Sequence, residues 1–252
     1  MDIATIRRTA YAMPLTSPSY PRGPYRYRGR EYLTIAYRTD AAAIARAVPA
    51  PLRPVGDVAR FQFIRMADST GFGAYHGAAQ LLDVTLPDGT AASYVVNMYL
   101  DTHPPIAGGR ELWGFPQKLA APSLTVAHDT LVGRLDVGPI AVARGSMGFK
   151  HREMAGDDAT AALTRPGVLL KIVPHVDGSP RICELVRFSM SEVRLLGAWS
   201  GPAALSLHPH ALAPVADLPV RAIVDASHMI ADMTLGHGTV VHDYLASRSA
   251  RP

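Results

Sequence analysis

The sequence predicts an α+β, mostly β, single domain over residues 1–252, with a curved antiparallel sheet closing into a barrel. Three observations carry this. Segments with two-residue alternation or β-branched and aromatic runs far outnumber helical ones. Many are separated by turn chemistry such as Pro87-Asp88-Gly89 and Asp177-Gly178-Ser179-Pro180, and consecutive strands joined by short turns usually pair antiparallel. No shift in composition marks a linker and no segment repeats, so one closed or strongly curved sheet is the economical way to remove unpaired edges.

Residues 1–13 are expected to be a flexible segment or an oligomer-forming arm. Residues 14–30 are rich in proline, glycine, arginine and tyrosine, which predicts an extended, turn-punctuated stretch. Over 31–39, Tyr32, Thr34 and Ala36 alternate with Leu33, Ile35 and Tyr37, the repeat of a strand. Residues 41–48 read as the one early helix, N-capped by Asp40 and ended by Pro49 and Pro51. Further strands are expected over 58–66, 93–100, 124–126, 130–137, 140–143, 168–173 and 182–196, and 215–245 mixes a short helix with a final strand.

The chain is 48% apolar over 252 residues, ample for a continuous core. Its net charge of +4 is dispersed, which suits small acids as well as any polyanion. The single cysteine, Cys183, excludes an internal disulfide and fits a reducing compartment, with the cytoplasm as the default. No apolar run is long enough for a signal peptide or a membrane span, so neither export nor membrane insertion is expected.

Arg22, Arg26, Arg28 and Arg30 interleave with Tyr25 and Tyr27, a pattern that could clamp single-stranded nucleic acid. Without a recognised module, an oligomer interface or an arginine aimed at a substrate carboxylate is the better reading, and no nucleic-acid partner is expected. His208 and His210, with His237 and His242 further on, lack a carboxylate or thiolate at a recurring spacing, so no metal is expected. In the segment Gly71 to Gly77 the third glycine falls one position late for a dinucleotide loop, which argues against a nucleotide cofactor. Ser146 lacks the glycine spacing of a nucleophile elbow.

Of 25 basic residues only three are lysines: Lys118, Lys150 and Lys171. Arginine stays protonated in proteins, whereas a desolvated lysine can lose its proton and attack a carbonyl, so any Schiff-base chemistry must use one of these three.

The segments PLTSPSYPRGPY, REYLTIAYRTD, GRELWGFPQKLAAPSL, DTLVGRLDVG, MGFKHR, DGSPRICELV, AWSGPAALSL and DLPVRAIVDASHMIAD resemble the acetoacetate decarboxylase family, in order and over nearly the whole chain. The resemblance implies a cone-like barrel around an apolar cavity, a homo-oligomer, and no metal or organic cofactor. In family members that decarboxylate acetoacetate, a lysine forms an imine with the β-ketone. The family motif is Pro-Lys-Lys with the first lysine as nucleophile, and here it reads Pro116-Gln117-Lys118. The family's two active-site glutamates fall on Gln62 and Gly77, while its arginine is kept as Arg30. If Gln117 faces the cavity, strand alternation turns Lys118 away, and only a bulge just after Pro116 brings Lys118 in as a shifted nucleophile.

The resemblance therefore implies a lyase-type enzyme, a decarboxylase or an aldolase-dehydratase-like carbon–carbon lyase, acting on a small keto acid or related carbonyl compound, with a Schiff base only if Lys118 reaches the cavity. Arg30 is expected to bind the carboxylate and Gln117 and Gln62 the carbonyl or enolate oxygen, with Gly77, Met98 and Phe115 in the substrate-binding wall. The alternative is a non-catalytic protein that keeps the cavity and binds a small molecule without turnover.

Overall fold

The structure, a computed structural model, describes residues 1–246. Helix α1 (Ile3–Thr9) is capped by Asp2, which accepts from the Thr5 amide at 2.7 Å, and none of its residues is buried. Strand β1 (Tyr25–Arg38), helix α2 (Ala41–Ala47), β2 (Arg53–Met66), β3 (Asp68–Ser69), β4 (Tyr75–Thr85) and β5 (Ala91–Leu100) follow. Helix α3 (His103–Gly108) runs into a π-helical turn (Gly109–Trp113), then β6 (Gln117–Leu119), β7 (Ala121–Ala127), β8 (Thr130–Val137) and β9 (Ile140–Gly148). Next come β10 (Arg152–Glu153), α4 (Gly156–Thr164), β11 (Gly167–Pro174), β12 (Pro180–Phe188), β13 (Met190–Ser200) and β14 (Ala203–Leu207). A 3-10 turn (Val215–Asp217), β15 (Ala222–Leu235) and β16 (Thr239–Asp243) complete the described chain.

The fold is mostly β, as expected, but its pairing differs from the expected barrel in two respects. Twelve strands form one sheet whose path runs β10-β13-β15-β1-β2-β4-β5-β11-β12-β16, with β3 on β1 and β6 on β5. That path has two separate ends, so hydrogen bonding leaves the sheet open rather than closed. Nor is it wholly antiparallel. β5 pairs parallel with both β6 and β11, because α3 and the second sheet lie in the connections and return the chain in the same direction. The second sheet has the order β14-β9-β8-β7.

The central strands bury both faces. On one, Leu33, Ile35, Phe61 and Phe63 pack against Leu131, Leu135 and Val142 of the second sheet. Gly133 and Gly145 admit the Phe63 ring there, since a Cβ at either would run into it. On the other face, Tyr27, Tyr32, Ile64, Met66, Met98 and Phe115 belong to a second cluster, which surrounds a cavity.

The turn that brings the chain into β6 depends on Gly114, whose φ of +89° is the left-handed conformation that glycine adopts without penalty. The Gly114 and Phe115 amides both donate to the Gly109 carbonyl at 3.0 Å. A Cβ at Gly114 would sit 2.5 Å from Lys171 Cα on β11, backbone that cannot step aside. Gly114→Ala is therefore expected to destabilise the fold by about 3 kcal/mol or more, from combined backbone strain and overpacking. Urea unfolding of the two proteins measures it, and a loss under 1 kcal/mol would contradict this packing.

Candidate functional site

The cavity has a volume of about 390 Å3. Its wall follows from strand alternation. Thr34 and Ala36 of β1, Arg60, Gln62 and Ile64 of β2, and Ala79 and Leu81 of β4 point into it, while the residues between them face the core. The register aligns several polar groups at one level. Ser227 pairs with Thr34, Thr34 with Gln62, Gln62 with Ala79, Ala79 with Met98, and Met98 with Gln117. One row of neighbouring strands thus carries both glutamines to the cavity, and Gln62 Nε2 donates to Thr34 Oγ1 at 3.1 Å.

Arg30 reaches the same cavity through a β-bulge. The pairing of β1 with β15 shifts between Tyr27 and Arg30, with Gly29 at φ +57° and its amide donating to Asp232 Oδ1 at 2.8 Å. The extra residue places Tyr27 and Arg30 on one face. Glu31, one residue on, points to the opposite face, where it pairs with Arg65 and with His228 Nε2 at 2.7 Å. It therefore cannot neutralise Arg30.

Arg30 is only 7% exposed, and no ion pair to it exists among the described residues. Its guanidinium carbon lies 4.6 Å from the Tyr27 ring centre and 5.0 Å from that of Tyr32, and its Nε has no hydrogen-bond partner. Gln117 is 6% exposed, and its Oε1 likewise lacks a partner. Its Nε2 has only the weak thioether acceptor Met98 Sδ at 3.5 Å. Gly109 makes room for this side chain, because a Cβ there would meet Gln117 Cδ at 2.8 Å. Two buried polar groups of one cavity thus await partners, an anion for the guanidinium and a hydrogen-bonding group for the Gln117 amide, whose oxygen and nitrogen exchange places by a turn of the side chain.

Of the residues expected at the site, Arg30, Gln62, Met98, Phe115 and Gln117 line the cavity, and Lys118 and Gly77 do not. Lys118 pairs with Tyr99 in unbroken register one residue beyond Gln117, without the bulge it would need. Its side chain is exposed, and Nζ donates to the Leu212 carbonyl at 2.9 Å. Gly77 is buried behind the wall, where a Cβ would meet Leu100 Cδ2 at 2.8 Å and Met66 Cε at 3.5 Å. Lys150 lies over the Trp199 ring and Lys171 Nζ donates to the Leu112 carbonyl. Among the described residues, then, no lysine lines the cavity.

Sequence reasoning missed Tyr75, Arg60 and Arg165, which also line it. Arg60 and Arg165 share Asp83, so these guanidiniums are paired where Arg30 is not. The Gly29 bulge was signalled by an isolated glycine within an aromatic and arginine alternation.

The sequence profile described as acetoacetate decarboxylase (ADC) matches residues 12–245. The chain belongs to the acetoacetate decarboxylase family. A protein named acetoacetate decarboxylase from Acidiphilium cryptum is 61% identical over 246 residues, covering 98% of this chain and all of the relative. One from Bordetella avium is 59% identical with the same coverage. The crystal structure of acetoacetate decarboxylase from Legionella pneumophila superposes with a TM-score of 0.90 at 44% identity, covering 96% of this chain and 97% of that one. Among the described residues no helix is long and apolar enough to cross a membrane, and no cluster of His, Cys, Asp or Glu is arranged to hold a metal ion.

Proposed function

We propose that this family member binds a small keto acid in the cavity and acts on it, as a lyase, without forming an imine. One observation carries the reading: the family's nucleophile position is a buried glutamine facing the cavity, and no described lysine takes its place. Arg30 receives the carboxylate, and the amides of Gln117 and Gln62 bond the carbonyl oxygen as it gains enolate character. With a β-keto acid, the bond between the carboxylate carbon and the α-carbon breaks and carbon dioxide leaves. The electron pair enters the enolate, whose carbon then takes a proton from water. An imine would supply a full positive charge as the electron sink, whereas each hydrogen bond supplies about 3–4 kcal/mol at most. The reaction is accordingly slower than in lysine-bearing relatives.

A second reading, binding without turnover, is favoured by the absence of any described Lys, Glu or His from the cavity wall, where Asp225 is the one carboxylate among the described lining residues. Assembly of like chains belongs to the same proposal, supported by the exposed Ile3 and Ile6 of α1 and the exposed Met13 beyond it.

Incubation with acetoacetate and sodium borohydride, followed by intact mass and peptide mapping, tests the central claim. No mass increase is expected, while a relative carrying Pro-Lys-Lys is labelled under the same conditions. An adduct on Lys118 would overturn the proposal. Ligand-induced change in Trp113 fluorescence without carbon dioxide release would favour the second reading.

A further inference from the structure

The phenols beside Arg30 offer something the family motif does not mention. Tyr27 and Tyr75 both line the cavity and both are buried, and their hydroxyl oxygens are 3.4 Å apart. Tyr25 and Tyr32 also line the cavity, but the Tyr25 hydroxyl donates to the Pro21 carbonyl at 2.6 Å and that of Tyr32 to Met233 Sδ at 3.3 Å. Tyr27 and Tyr75 are different. Two hydroxyls that share one contact have two protons and one use for them, so one proton is left without an acceptor among the described residues.

Tyr27 is the better placed to hold that free proton. Its ring lies against the Arg30 guanidinium at 4.6 Å, while the Tyr75 hydroxyl meets the Tyr27 oxygen. An oxyanion drawn to Arg30 would come up against the Tyr27 hydroxyl. Burial also pushes the Tyr75 hydroxyl well above the ordinary phenol range, although the Arg30 charge opposes this, so Tyr75 stays a neutral donor toward Tyr27.

We infer that Tyr27 donates a hydrogen bond to the anionic oxygen of the ligand held at Arg30, with Tyr75 orienting its hydroxyl from behind. This rests on the keto-acid reading above and makes the subsite a cation and a neutral phenol acting together. A carboxylate or enolate oxygen, which only accepts, fits it, whereas an ammonium or other donor-only group does not. With the lysine and both family glutamates gone, Tyr27 offers an O–H at Arg30 with no competing acceptor among the described residues.

The test is the affinity for acetoacetate and for pyruvate, measured by calorimetry on the full chain and on Tyr27→Phe, Tyr75→Phe and Arg30→Gln. Tyr27→Phe keeps the ring on Arg30 and removes only the hydroxyl, so affinity is expected to fall about tenfold to a hundredfold, as for a hydrogen bond to a charged acceptor. Tyr75→Phe, which removes only the orienting partner, is expected to lose no more than about threefold by the same scale. Unchanged affinity in Tyr27→Phe, or a larger loss in Tyr75→Phe, would overturn the inference while leaving the keto-acid reading intact, provided Arg30→Gln still loses binding. Failure of the unsubstituted chain to bind either acid would remove the keto-acid reading itself, and this inference with it. Should Tyr27→Phe fail to fold, titrating the unsubstituted chain with acetoacetate still decides the matter. A tyrosine difference spectrum at saturation supports the hydrogen bond, and its absence refutes it.

Discussion

Gln117→Lys is expected to form an imine with acetoacetate that borohydride traps at residue 117, where the unsubstituted chain forms none. The side chain of residue 117 already faces the cavity beside Met98, in unbroken parallel register with β5. Lysine shares the unbranched path of glutamine through Cδ, so it can pass Gly109 along the same route without a new clash near the backbone. The cavity should then activate the amine. Burial disfavours the ammonium, and Arg30 adds a like charge that has no carboxylate to cancel it, so both effects lower the pKa. Full burial can depress a lysine by about 3–5 units, which raises the free-amine fraction at neutral pH by roughly three orders of magnitude over a solvated lysine, to about a third or more of the population. Trapping should therefore proceed near pH 7, far below the ordinary lysine range, and decline as pH falls through the lowered pKa. Turnover should remain below that of relatives with the full motif, because Gln62 and Gly77 still stand where the family's carboxylates do. If Gln117→Lys labels only at alkaline pH, the cavity does not desolvate residue 117 as its burial indicates, and the physical basis for calling it the vacated nucleophile position is lost.

The same strand geometry explains what could be read from the sequence and what could not. The alternation over 31–38 was legible because β1 separates two different environments, the second-sheet core and the cavity wall. It also allowed the orientation of Lys118 to be reasoned about, since a three-residue strand has no room for hidden irregularity unless a bulge is present. β4 was missed. Its sequence YHGAAQLLDVT has no exposed residue and opens on a run of small ones, so the clear inside–outside contrast and β-branched enrichment that announce a strand are missing from its first half. Helix α3 was hidden by Pro104 and Pro105, which suggest a break yet sit in its first turn, where a missing amide costs nothing. The expected single strand over 182–196 is two, β12 and β13, interrupted at Ser189, because a hydrophobic run does not reveal which sheet neighbour each part will choose. The open path of the large sheet and its two parallel pairings depend on long connections, which local pattern cannot encode.

Arg30→Met is expected to make the protein more stable and at the same time unable to hold a keto acid. A buried guanidinium without a carboxylate carries a desolvation penalty of several kcal/mol, and the Tyr27 and Tyr32 faces return only about 1–2 kcal/mol each. The partnerless Nε adds the cost of an unmade hydrogen bond. Methionine keeps an unbranched stem, and its sulfur packs well against aromatic rings, so the exchange should yield a net gain of about 1–3 kcal/mol. For a chain of this size that is a rise in melting temperature of roughly 2–10 °C. Binding should move the other way. Removing one partner of a buried charge pair costs about 2–5 kcal/mol, so affinity for acetoacetate should drop at least about thirtyfold. Melting curves with and without acetoacetate read both effects together. The unsubstituted chain starts lower and rises with ligand, by about 2.7 kcal/mol at a hundred times its dissociation constant, whereas Arg30→Met starts higher and gains no more than about 1 kcal/mol at the same concentration. A variant that melts lower and still responds to acetoacetate would make Arg30 a structural residue of the tyrosine cluster and locate the anion elsewhere. The opposite movement of stability and affinity is what separates a charge kept for a ligand from one kept for the fold.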